Sequence, residues 1–87
     1  MNKVTWSIKA YKQLSKIDTR YRKAIEDSVK ELKNFPHVNV DLKKLVDRDN
    51  QYRIRVGRYR VIFEVMDGVP KIIEITAVLV RDSRTYS

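Results

Sequence analysis

The stretch from Tyr52 to Val65 constrains this chain more than any other part of it. Tyr52-Arg53-Ile54-Arg55-Val56 alternates bulky apolar and basic residues, and Tyr59-Arg60-Val61-Ile62-Phe63-Glu64-Val65 alternates again apart from Ile62. A period of two is the signature of a strand with one buried face. Gly57-Arg58 lies between the runs, a two-residue link with glycine first, which is the pattern of a tight hairpin turn. Closing that hairpin sets Val56 opposite Tyr59, Arg55 opposite Arg60, Ile54 opposite Val61 and Arg53 opposite Ile62. Tyr52, Ile54, Val56, Tyr59, Val61 and Phe63 then share a core-facing side, and Arg53, Arg55 and Arg60 share the other. Alternating arginine also decorates ordinary solvated sheet faces. The facing pair Arg55/Arg60 is different, because like charges directly opposite destabilise a sheet unless an anion sits between them.

The rest of the chain supplies what such a hairpin needs to bury its apolar side. Lys3 to Ile8 alternates and reads as a short strand. Ala10, Tyr11, Leu14 and Ile17 recur at helical spacing and predict a first helix of about three turns. Asp18-Thr19 breaks that pattern and offers an N-cap. Tyr21, Ile25, Val29 and Leu32 then form the apolar stripe of a second helix, which Pro36 ends by disfavouring helical geometry at Phe35. From Val38 to Asn50 the pattern is weak, and Leu42, Leu45 and Val46 are expected to pin the segment to the core. Asp67-Gly68 marks a second turn, and Pro70 to Val80 reads as a long, nearly all-apolar central strand. The expectation is an α+β fold in the order β-α-α-β-β-β, a helical hairpin packed on one face of an antiparallel sheet. The whole chain, residues 1–87, forms one domain.

Composition removes several classes of function. With no cysteine and one histidine, His37, thiolate metal sites, cysteine nucleophiles and disulfide scaffolds are excluded, and a serine–histidine–aspartate triad is disfavoured. No apolar run approaches the ~20 residues of a membrane helix, and the N-terminus carries no signal-peptide core. The expectation is a soluble cytoplasmic protein with no membrane partner. Its 19 Lys+Arg against 11 Asp+Glu leave a net charge of +8, which suits a polyanionic or acidic partner. Residues 1–50 hold nine Lys and three Arg, whereas residues 51–87 hold one Lys and six Arg. Arginine's planar fork matches phosphate oxygens, so the C-terminal half is the better candidate for geometric recognition.

Arg53, Arg55 and Arg60 are thus the leading candidates. Arg58 in the turn, Arg81 after the last strand, and Arg84 and Tyr86 in the tail could join them, adding guanidinium groups and a stacking phenol for single-stranded RNA. Lys43 and Lys44 could form a basic rim. Trp6 and Tyr21 read as core aromatics and His37 as a loop residue, and the spacing of Glu64 and Glu74 favours no acid–base role.

The segment Tyr52 to Val65, the ending Val80-Arg81-Asp82-Ser83-Arg84-Thr85-Tyr86 and the order of elements resemble the RelE/ParE toxin superfamily over essentially the whole chain, with the hairpin as the most specific part. The resemblance implies a RelE-like microbial ribonuclease fold and a toxin of a type II toxin–antitoxin pair. Its RelE branch cleaves mRNA in the ribosomal A site, and its ParE branch inhibits DNA gyrase. The basic strands and the arginine–tyrosine ending are more like the RelE branch. Carried over by position, Arg53 and Arg55 would contact RNA and help activate the attacking 2′-hydroxyl, and Arg60 would stabilise the transition-state phosphate. Arg81 would protonate the leaving 5′-oxygen, with Arg84 as the alternative, and Tyr86 would orient or stack a base. Lysine is frequent at the first two positions in relatives, and the arginines here are poor general bases. The implied partners are a cognate acidic antitoxin, the 70S ribosome with its mRNA, and operator DNA only through the antitoxin. No cofactor or metal is implied.

Overall fold

The computed structural model describes residues 2–46 and 49–80. The elements are β1 (Lys3–Trp6), α1 (Ile8–Ser15), α2 (Thr19–Lys30), a 3-10 turn (Glu31–Asn34), β2 (Asp41–Lys44), β3 (Gln51–Val56), β4 (Tyr59–Met66) and β5 (Ile72–Val80). The five strands form one sheet in the order β1-β5-β4-β3-β2. Both helices lie on one face of it.

Each helix begins where a short polar side chain can satisfy the free backbone donors of its first turn. The Ser7 hydroxyl accepts from the Ala10 N–H at 3.1 Å, and the Asp18 carboxylate accepts from the Arg20 N–H at 2.9 Å. Ala10 and Leu14 from α1, Ile25 and Val29 from α2, and Leu32 from the 3-10 turn are buried against Ile54, Tyr59, Val61, Phe63, Ile73, Ile75 and Val78 of the sheet. The core-facing residues expected from the alternation of β3 and β4 are all in this layer, with Tyr52 and Val56 half-buried at its edge.

The fold class is the expected one, with differences in detail. β1 runs parallel to β5, so the sheet is mixed; alternation reports which face a side chain takes but not the direction of the neighbouring strand. A further strand, β2, pairs antiparallel with β3. Only Leu42 of its four residues turns inward to the core, too short a period to read in advance. Leu45 is half-buried and donates its N–H to the Gln51 carbonyl at 2.9 Å, whereas Val46 is 93% exposed and pins nothing. Helix α1 is two turns rather than three: the Lys16 and Ile17 N–H groups bond to the Gln13 and Leu14 carbonyls, three residues back, and the chain turns into α2. Ile17 still packs on the core, but Tyr11 is 62% exposed.

Beyond Ile75, β5 has no β1 neighbour, because β1 ends at Trp6. Helix α1 covers that exposed edge: the Gln13 side-chain oxygen accepts from the Val78 N–H at 2.7 Å. A backbone donor that the sheet would leave unpaired is thereby satisfied. The register between β4 and β5 shifts here, with Ile62 opposite Ala77 but Phe63 opposite Ile75. The intervening Thr76 hydroxyl donates to the Ile62 carbonyl at 3.2 Å.

Candidate nucleic-acid interface

The hairpin closes as expected. Gly57 has φ +58°, the left-handed region that glycine enters at no steric cost, and Arg58 completes the turn. Val56 faces Tyr59, Arg55 faces Arg60, Ile54 faces Val61 and Arg53 faces Ile62. At the far end Tyr52 and Phe63 are also paired, their rings stacked with centroids 5.5 Å apart. Phe35 packs edge-on against both, at 5.1 and 5.8 Å. A glycine turn at one end and an aromatic cluster at the other hold the register between them. A slip of one residue would send the arginines into the core.

The outer face can therefore be mapped row by row. One row runs Asp41, Arg55, Arg60 and Leu79 across β2, β3, β4 and β5, and the next runs Lys43, Arg53, Ile62 and Ala77. Opposed residues on neighbouring strands lie about 4.5–5.5 Å apart at Cα, so Arg53, Arg55, Arg60 and Lys43 form one contiguous basic patch. Arg58 projects from the exposed turn at its end. Lys44 does not belong to the patch. It pairs with Tyr52, on the side of the helices, because successive residues of a strand point to opposite faces. The two lysines expected to form one rim are thus separated by the sheet. Arg81, Arg84 and Tyr86 lie outside the described residues.

The arginines are not freely solvated. Arg55 and Arg60 are half-buried, and the side chain of Arg53 is only 19% exposed. One Arg53 terminal nitrogen is shielded from solvent without a hydrogen-bond partner. The Asp41 carboxylate approaches it at 3.8 Å, beyond hydrogen-bond range. Three guanidinium groups side by side on one sheet face are an arrangement whose repulsion an anion with several oxygens would relieve. Sequence reasoning missed Asp41, whose signal became legible only once β2 was known to be a strand.

Farther along the same face the sign reverses. Glu64 faces Glu74 across β4 and β5, and Glu64 accepts from the Asn50 side chain at 3.0 Å. The basic patch is therefore confined to the end of the sheet nearest the Gly57 turn. Among the described residues no group of three or more His, Cys, Asp or Glu side chains gathers as metal ligands would, and no helix is long and apolar enough to cross a membrane. Trp6 is half-buried against the core, and Tyr21 is about half-exposed with its ring 5.8 Å from that of Tyr59. His37 is exposed in the loop after Pro36.

Comparison with known proteins identifies the family and the fold. Residues 4–84 match the family described as ParE toxin of type II toxin–antitoxin system, parDE. The RelB–RelE antitoxin–toxin complex from Methanococcus jannaschii contains a chain 31% identical to this one, with 93% of this chain and 94% of that chain covered and a TM-score of 0.73. The archaeal RelE–RelB complex from Pyrococcus horikoshii OT3 matches at 23% identity over 94% of this chain and 97% of that one, with a TM-score of 0.75. The isolated E. coli RelE toxin shares the fold at a TM-score of 0.81 and 19% identity, over 99% and 92% of the two chains. A search of curated proteins finds no match. With a family match over nearly its whole length and a RelE chain at 31% identity, the protein belongs to the RelE/ParE superfamily and is a toxin of a type II toxin–antitoxin system.

Proposed function

We propose that this toxin is a ribosome-dependent endoribonuclease that cleaves mRNA in the A site and so inhibits translation. The observation that carries the reading is the facing pair Arg55/Arg60, flanked by the largely buried Arg53, on the sheet face opposite the helices. In-line attack of a 2′-hydroxyl on the adjacent phosphate concentrates negative charge on the phosphate oxygens. Guanidinium groups already held by the sheet stabilise that charge with little reorganisation. In this reading Arg60 binds the transition-state phosphate, Arg53 and Arg55 contact the RNA and help activate the attacking 2′-hydroxyl, and Lys43 and Arg58 contact RNA around them. Arg81 protonates the leaving 5′-oxygen, Arg84 lies at the rim, and Tyr86 stacks a base. The nucleophile belongs to the RNA, so the reaction requires no cofactor.

The partners follow from the charge and the family. A basic toxin is neutralised by an acidic cognate antitoxin, through which alone it reaches operator DNA. The 70S ribosome supplies both the mRNA and a phosphate-rich surface for association. Primer extension on cellular mRNA after brief induction, with ribosome-free RNA as control, tests the reading. Cuts within translated codons support it, and intact mRNA overturns it. A second reading, a gyrase inhibitor without catalytic activity, is favoured by the ParE description of the matching family. It predicts supercoiling defects with intact mRNA in the same cells.

A further inference from the structure

Two features of the sequence remain outside the phosphate site. Ile62 breaks the alternation of β4, and β5 is nearly all-apolar although the helices cover only one of its faces. The fold brings the two together. Ile73, Ile75 and Val78 are buried toward the helices. The extra residue at Thr76 shifts the alternation, so Ala77 and Leu79 take the face that carries the arginines. There Ile62 is paired with Ala77, and Arg60 with Leu79. Ile62 and Ala77 are half-buried, and Leu79 is 43% exposed. An aliphatic floor thus abuts the guanidinium groups on their β5 side. On the β2 side the same two rows end in Asp41 and Lys43.

We infer that Ile62, Ala77 and Leu79 seat a nucleobase next to the phosphate held by Arg60, resting on the ribonuclease reading above. A nucleotide joins a charged phosphate to a flat ring with apolar faces, and this sheet sets the two matching surfaces side by side. Leu79 lies one strand from Arg60, about 4.5–5.5 Å away at Cα. Ile62 lies two residues along β4, roughly 7 Å at the ordinary strand rise. Both are within reach of a base on a ribose bonded to that phosphate. A base laid toward β2 would cover the charged groups of Asp41 and Lys43, which lose hydration and gain nothing from a ring face. A base laid toward β5 removes apolar area from water on both partners. The floor has no side-chain donor or acceptor, so it grips by ring area: every base is accepted, and a purine is held better than a pyrimidine.

The test is single-turnover cleavage on ribosomes programmed with intact mRNA or with mRNA made abasic at one nucleotide, on either side of the scissile bond. Parent and Ile62→Thr/Leu79→Thr toxins are compared, because threonine keeps a branched, strand-favouring side chain while removing apolar area. A stacked base is worth roughly ten- to a hundredfold, and an aliphatic floor belongs at the lower end of that range. The parent should therefore slow about tenfold when the base on the floor is missing, and the threonine variant about tenfold on intact mRNA. The two losses should not add: the variant should respond less than about threefold to the missing base. Its ribosome association and salt dependence should stay as they are, since no phosphate contact is altered. Leu79→Phe enlarges the floor at an exposed position and should widen the gap between intact and abasic mRNA, which keeps the inference testable where the threonine variant does not fold. Additive losses, or a parent indifferent to both abasic positions, overturn the inference and leave the ribonuclease reading intact. So does normal cleavage by the threonine variant with weaker neutralisation by the cognate antitoxin, which would give this floor to the antitoxin. A parent that cleaves no RNA overturns the function itself, and the base seat with it.

Discussion

The two faces of the β3–β4 hairpin are built from alternate residues of the same short strands, yet they are subject to opposite demands. On the inner face Ile54, Val61 and Phe63 are completely buried among helix side chains. On the outer face Arg53, Arg55 and Arg60 crowd together against mutual repulsion. The inner face contributes stability through apolar burial and close packing, and the outer face gives up some of it to concentrate charge. One register serves both, so the packing that buries Phe63 also places the arginines. Substitutions should separate accordingly: folding lost from one side, activity from the other.

The largest expected effect is on the inner face. Phe63→Ala removes a fully buried ring from the Phe35/Tyr52 cluster and should cost about 3–5 kcal/mol in a denaturation midpoint, a large share of a small domain's stability. Unchanged stability would break the comparison at its root. Arg60→Ala should do the reverse. Its unfolding free energy should move by about 1 kcal/mol, far less than that of Phe63→Ala, while cleavage falls roughly a hundredfold or more, about 3 kcal/mol in the barrier. A variant that is as toxic as the parent would remove Arg60 from the site.

The turn that links the faces should respond to a smaller degree. A Cβ on Gly57 meets nothing within 4 Å, so Gly57→Ala is opposed only by its φ of +58°. The expected loss is roughly 1–2 kcal/mol of stability. A loss near zero would show that the turn does not hold the register. The finest test is the adjacent lysine pair. Lys43→Glu, on the arginine side, should weaken ribosome association and make its salt dependence shallower by about one phosphate contact. Lys44→Glu, on the helix side, should leave the salt slope as it is. Equal effects would mean that the basic surface wraps the edge of β2.

The hairpin and its Arg55/Arg60 pair were legible in the sequence because their cause is local. A period of two assigns faces, and a glycine-first turn sets the register, both within a few residues. The second helix was legible for the same reason, through the Asp18 cap and the stripe Ile25, Val29 and Leu32. Tertiary structure alone decided the rest. β2 is a strand because β3 offers it an edge, not because Asp41-Leu42-Lys43-Lys44 prefers to be extended. That pairing sets Lys43 and Lys44 on opposite faces and brings Asp41 into the arginine row. The parallel match of β1 with β5 depends on where two intervening helices return the chain. Hydrogen bonds between strands distant in sequence leave no trace in the pattern of either strand, so their partners emerge only when the chain is folded.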